Sequence, residues 1–121
     1  MVNSRSKGKR GELEFCRVMK DHGWEAHRSQ QFSGADHDAD ITSEDLPWLH
    51  IEVKRRERGN IHDWMDQAKR DTDWQMPLVA HRRNNCEWLV TLTAADFFAA
   101  ILPMVETDRL EDFLRLMVAL R

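Results

Sequence analysis

Residues 49–54, LHIEVK, alternate strictly between apolar and polar side chains, and this stretch constrains the fold of the 121-residue chain most tightly. Leu49, Ile51 and Val53 fall on one side of an extended backbone, and His50, Glu52 and Lys54 on the other. That period of two is the signature of a strand with one buried face. A sheet is therefore expected, with Glu52 and Lys54 sharing its exposed polar face. The basic run RRERG follows at once, at residues 55–59.

Other elements can be placed around this strand. Leu13, Phe15, Cys16, Val18 and Met19 recur at helical spacing, which predicts an amphipathic helix from Gly11 to His22 with Gly23 as its terminator. WEAHRS (24–29) reads as a short strand, QQFSGADHD (30–38) as a loop and ADIT (39–42) as a second short strand. SEDLPW (43–48) is a turn, because Pro47 disfavours helix before it. Ile61, Trp64, Met65 and Ala68 mark a second helix ending near Asp71. PLVAHR (77–82) and EWLVTL (87–92) read as two more strands joined by RNNC. Thr93 with Asp96, and Asp108 with Glu111, signal the starts of two further helices, the first ended or kinked by Pro103.

The order α-β-β-β-α-β-β-α-α predicts a single α/β domain over residues 1–121, with a central mixed five-stranded sheet flanked by helices. Residues 1–10, which include SRSKGKR, are expected to form a flexible basic arm. No internal repeat or low-complexity tract interrupts the pattern.

A hydrophobic content of 41% and a charged content of 32% fit a globular protein with an ionic surface, and exclude disordered and membrane-embedded classes. No uninterrupted apolar run reaches transmembrane length. Cys16 and Cys86 lack CxxC spacing and read as reduced thiols, so the expected address is the cytoplasm. The net charge of −3 conceals strong segregation. Arg5, Lys7, Lys9 and Arg10 open the chain without an acid, Lys54, Arg55, Arg56 and Arg58 form a second basic group, and HRR at 81–83 a third. Asp36, Asp38, Asp40, Glu44 and Asp45 fall within ten residues that hold no Lys or Arg. Phosphate binding needs local positive potential, not a positive total.

Asp40 begins one short strand, and Glu52 and Lys54 lie on the polar face of the next, so two carboxylates and an amine could converge. Carboxylates are hard oxygen ligands suited to Mg²⁺ or Mn²⁺. A metal there would polarise a phosphodiester and lower the pKa of a bound water, and Lys54 would position that water or offset charge building on phosphorus. Glu12, on the first helix, would add a third carboxylate. ExK alone occurs by accident in many chains; the order Glu, then Asp, then ExK followed by a basic run is far rarer.

With these residues in place, the chain resembles the PD-(D/E)XK nuclease superfamily, and more narrowly the archaeal-type Holliday junction resolvases and their phage relatives. The resemblance runs through SKGKRGELEF, HRS, ADI and IEVK, and covers roughly the first 60 residues. It implies a restriction-endonuclease-like core. It also implies metal ligation by Asp40, Glu52 and the Val53 carbonyl, Lys54 as catalytic lysine, and Glu12 as the helix carboxylate. Arg28 would contact the scissile phosphate, Ser33 lies in the loop where the family has a functional serine, and Gln67 falls where related nucleases use a Gln to bind DNA or orient the site. Lys7, Lys9 and Arg10, and Arg55, Arg56 and Arg58, would track the DNA backbone. Ala39 stands where the superfamily motif has Pro, and Leu13 where some resolvases have an Arg. Asp36 and Asp38 compete as ligands, but Asp40 alone begins an apolar strand.

The expected function is thus a Mg²⁺-dependent, structure-selective DNA endonuclease, with Mn²⁺ able to substitute, that makes paired nicks in four-way junctions. Its partner would be branched double-stranded DNA. A same-superfamily nuclease with a nicking, repair or restriction-like target is the alternative, and a non-catalytic DNA-binding module a weaker one, since Glu12, Asp40, Glu52 and Lys54 are all present. His37, His50 and His62 lack zinc-site spacing, and His50 reads as a bystander on the polar strand face. Lys69 and Arg70 share a helix with Gln67 and are further candidates to touch phosphate. The five tryptophans read mainly as core or interface residues. Phe97, Phe98, Ile101 and Leu102 crowd a wide arc of the third helix, which suggests a homodimer interface.

Overall fold

Alternation in LHIEVK produces the central strand of the sheet. In the computed structural model the described residues are 4–29, 39–72, 74–105 and 109–121, with side chains from Gly8 onward. In chain order the elements are α1 (Ser4–Asp21), β1 (His27–Arg28), β2 (Ile41–Thr42), β3 (Leu49–Arg55), α2 (Ile61–Asp71), β4 (Met76–Arg82) and β5 (Leu89–Thr91). A helical turn, α3 (Ala94–Asp96), then continues through a π turn (Phe97–Ile101) and a 3-10 turn (Leu102–Met104), and α4 (Leu110–Ala119) follows. The strands lie in sequence order in one five-stranded sheet. β3 and β4 are parallel, with Leu49 beside Met76 through to Arg55 beside Arg82, and the other neighbours are antiparallel. The mixed sheet and the element order are those read from the sequence.

The β3–β4 pair is parallel because its connection is a helical crossover, and such pairs are covered on both faces. α1 covers one face: Phe15, Cys16 and Met19 pack on Ile41, Ile51, Ala80 and Ala26. α2 covers the other, with Met65 and Ala68 against Val79 and Trp64 at the margin. The expectation of an exposed polar face on β3 is therefore corrected. His50 is 1% and Glu52 3% exposed, because α2 lies across the side that a single amphipathic strand would leave to water.

α1 starts at Ser4, seven residues before the predicted start, so residues 4–10 are helical and do not form the expected flexible arm. The helix runs through Gly8 and Gly11, since a glycine inside a helix costs only about 1 kcal/mol relative to alanine. Gly11 has a packing role: a Cβ there would lie 2.6 Å from the Arg55 Cβ, so its absence lets α1 approach β3. At the other end Gly23 (φ 89°) closes α1 as predicted, with its N–H donating to Lys20 O and the Trp24 N–H to Met19 O.

β1 and β5 are shorter than predicted. The Glu25 N–H is taken by Asp45 Oδ2 (2.8 Å) and the Glu25 carboxylate accepts from the Glu44 N–H (2.6 Å), so side chains fasten the segment before β1 to the β2–β3 turn. Trp88 leaves the β5 ladder to pack its ring 5.0 Å from Phe15 and donate to Glu14. Asn60 caps α2, its side chain accepting from the His62 and Asp63 N–H groups. Thr93 caps α3 by accepting from the Asp96 N–H. Asp108, expected to cap the last helix, lies outside the described residues, and Arg109 occupies the cap of α4 without a side-chain bond.

Candidate active site

Asp40 sits at the entry to β2, where its own N–H donates to Ile51 O (2.9 Å) and its Oδ2 accepts from the Val53 N–H (2.8 Å). Backbone and side chain are thus both fixed against β3. N–H and C=O of one residue leave the same edge of an extended strand. The Val53 carbonyl therefore faces the Asp40 side of β3, while Glu52 and Lys54 project toward α2. Glu52 is held by His50, whose Nε2 donates to Glu52 Oε1 at 2.9 Å with both side chains buried. Lys54 Nζ donates to Gln67 Oε1 on α2 at 3.1 Å.

The electrostatics of the cluster are unbalanced. Burial is the first cause that pushes the Asp40 carboxyl up to about 7, and the neighbouring Glu52 charge the second; Glu12 adds a smaller push in the same direction. Two buried carboxylates this close cannot both ionise without a proton or a cation between them. Among the described residues no three His, Cys, Asp or Glu side chains converge as a self-sufficient metal cluster. The pair Asp40 and Glu52, joined by a backbone carbonyl, still fits Mg²⁺, which takes one or two carboxylates and keeps several waters.

Glu12 and Arg28 are brought together: Arg28 Nε lies 2.6 Å from Glu12 Oε2, linking α1 to β1 beside Asp40. The helix carboxylate and the expected phosphate contact thus hold each other. Gln67 is in contact with Lys54, whereas Lys9 and Arg10 lie exposed on α1. The arginines after the strand divide. Arg55 points to the α1 face, opposite Lys54, and its side chain is 16% exposed and 3.8 Å from Glu14. It is part of an internal network with Glu14 and Arg82 and does not line the surface expected of it. Arg56 and Arg58 are exposed. Ser33, Asp36, Asp38 and the Lys7 side chain lie outside the described residues.

His50, expected as a bystander on the polar face of β3, instead holds Glu52. The signal was available, since it shares the period-two face with Glu52 and Lys54. The Glu14–Arg82–Trp88 contacts had no such signal, because Glu14 and Arg82 are 68 positions apart.

The mixed sheet with its flanking helices defines a class, that of restriction-endonuclease-like α/β domains, here with Glu52 and Lys54 on the central strand and Asp40 at the entry to its neighbour. Among solved structures the chain is similar to Hjc of Archaeoglobus fulgidus, a Holliday junction resolvase from an archaeal hyperthermophile. The TM-score is 0.55 at 23% identity, over 71% of this chain and 72% of that one. The likeness establishes the shared fold. No family model and no curated protein sequence matches the chain.

Proposed function

We propose that this protein is a Mg²⁺-dependent, structure-selective DNA endonuclease that makes paired nicks in four-way junctions as a homodimer. The observation that carries the reading is the placement of Asp40, Glu52 and Lys54 together on and beside one strand, in a fold shared with a Holliday junction resolvase. Asp40, Glu52 and the Val53 carbonyl would hold Mg²⁺, with Mn²⁺ able to substitute. When bound, the metal supplies Lewis acidity at the phosphodiester and lowers the pKa of a water. Lys54, steadied by Gln67, offsets the charge that builds on the phosphoryl oxygens. His50 keeps the Glu52 carboxylate aimed, and Arg28, positioned by Glu12, receives the phosphate at the cut. Lys9, Arg10, Arg56 and Arg58 bind backbone phosphates, which position DNA without reading its sequence.

The homodimer rests on the C-terminal third. None of the described residues of α3, the turns after it or α4 is buried, although Phe98, Leu114, Leu116, Val118 and Leu120 are each more than half exposed. Patches of this kind mark interfaces. A two-fold copy would cover it and hold two sites against two strands of a branched DNA. The function is tested by incubating the protein with Mg²⁺ and labelled four-way, flapped and linear duplex DNA of matched sequence. Symmetric paired nicks in the four-way junction alone are expected. Equal cutting of linear duplex would overturn the branch selectivity, and preferred cutting of the flap would favour a repair-type target.

A further inference from the structure

Beside Lys54 the sheet ends in a cleft of about 290 Å³ whose floor is aromatic and whose walls are basic. Trp64 forms the floor, its ring centroid 5.9 Å from that of His81. His81 is fixed in turn by Thr91 Oγ1, 2.9 Å from its Nε2. Gly59 (φ 145°) lies directly under the indole, where any Cβ would collide with the ring, so the chain turns tightly enough for Trp64 to seat. Arg56 and Arg58 come from the segment after β3, and Arg83 from the end of β4. All three are exposed and have no ion-pair partner among the described residues. Glu57, the acid on this wall, is already occupied by the Asn84 N–H (2.7 Å) and by Arg55 (3.7 Å).

The cleft adjoins the candidate active site. His81 is the cross-strand neighbour of Lys54, and Trp64 precedes Gln67, the Lys54 partner, by three residues on α2. A cleft lined by an indole and three exposed guanidinium groups suits one chemical class well, a nucleotide whose base stacks while its phosphates meet arginine. A base stacked within an uninterrupted duplex has no free face to offer.

We infer that the Trp64 cleft receives one unpaired nucleotide next to the scissile phosphate, so that DNA with an unstacked base at the branch is bound in preference to DNA without one. The inference rests on the nuclease reading for its geometry but is measured without cleavage. It places Trp64, Arg58 and Arg83 in substrate recognition.

The test is equilibrium binding of the full chain in EDTA to a branched duplex carrying one unpaired nucleotide, and to the same DNA with an abasic sugar at that position. About ten-fold weaker binding to the abasic DNA is expected, the size of one base–aromatic stack. Trp64→Leu should erase that difference while leaving affinity for the abasic DNA in place. Arg83→Gln should weaken both DNAs by a similar factor. Equal affinity of the wild-type protein for the two DNAs would overturn the proposal, whatever the folding of Trp64→Leu. Mg²⁺-dependent cutting read in parallel separates the two ideas. Base-independent binding with intact cutting overturns the cleft alone, and base-dependent binding without cutting supports the cleft and removes the nuclease reading.

Discussion

Replacing Asp40 by Asn should make the metal-free protein more stable at pH 8 while removing its response to Mg²⁺. The folded carboxyl is pushed up to about 7 from an ordinary value of 3.8, by burial and then by Glu52. Between those two pH values the folded state holds a proton that the unfolded chain has released. Stability at this site therefore falls as pH rises from about 4 to 7 and stays low above. At about 1.4 kcal/mol per pH unit the loss is about 4 kcal/mol. Asn keeps the oxygen that accepts from the Val53 N–H and can donate to Glu52, so the variant escapes the penalty without losing the anchor. Thermal melts in EDTA at pH 5 and pH 8 measure it. The variant should gain on the wild type by a Tm difference on the order of 10 °C at pH 8, and by less than half as much at pH 5. Millimolar Mg²⁺ should raise the wild-type Tm and leave the variant unchanged. A wild type that matches Asp40→Asn at pH 8 in EDTA, or equal stabilisation of both by Mg²⁺, would refute the reasoning.

Three further outcomes are expected. Lys54→Ala should lower single-turnover cleavage about a hundred- to a thousand-fold, the usual effect of removing one charge-stabilising donor, with junction affinity changed little in a gel-shift assay. Gly11→Ala should destabilise the fold by about 1–3 kcal/mol in urea unfolding, because the new methyl group meets the Arg55 Cβ across the α1–β3 contact. Phe98→Asp together with Leu116→Asp should convert a dimer to a monomer in sedimentation equilibrium without altering the melt of the sheet core, since neither residue is buried in it.

How legible the molecule was in its sequence depended on the distance over which each signal acts. β3 and α2 were readable to within a residue at their ends because alternation in LHIEVK and the spacing of Ile61, Trp64, Met65 and Ala68 are local patterns. β1 was overextended because the Glu25 N–H goes to Asp45, a partner on another turn that no local pattern announces. The polar face of β3 looked solvent-facing for the same reason: only the crossover of α2, a tertiary event, buries His50 and Glu52. At the site, Asp40, Glu52 and Lys54 were named from order and spacing and Gln67 from the family resemblance; in the fold Asp40 meets β3 and Glu52, and Lys54 meets Gln67. Arg55 was misplaced because a run of basic residues on a strand must alternate between faces, and period two assigns Arg55 to the α1 side with Val53. The Trp64 cleft was invisible until the ends of β3 and β4 stood side by side.

The central claim is that Asp40, Glu52 and Lys54 form one phosphodiester-cleaving site, and the most direct measurement is cleavage of an immobile, labelled four-way junction in Mg²⁺ by the wild-type chain beside Asp40→Asn, with folding of both checked by melting. Metal-dependent, symmetrically placed nicks are expected from the wild type, and none from a variant that is folded and still binds the junction. Undiminished nicking by folded Asp40→Asn, or nicking by the wild type that persists in EDTA, would contradict it.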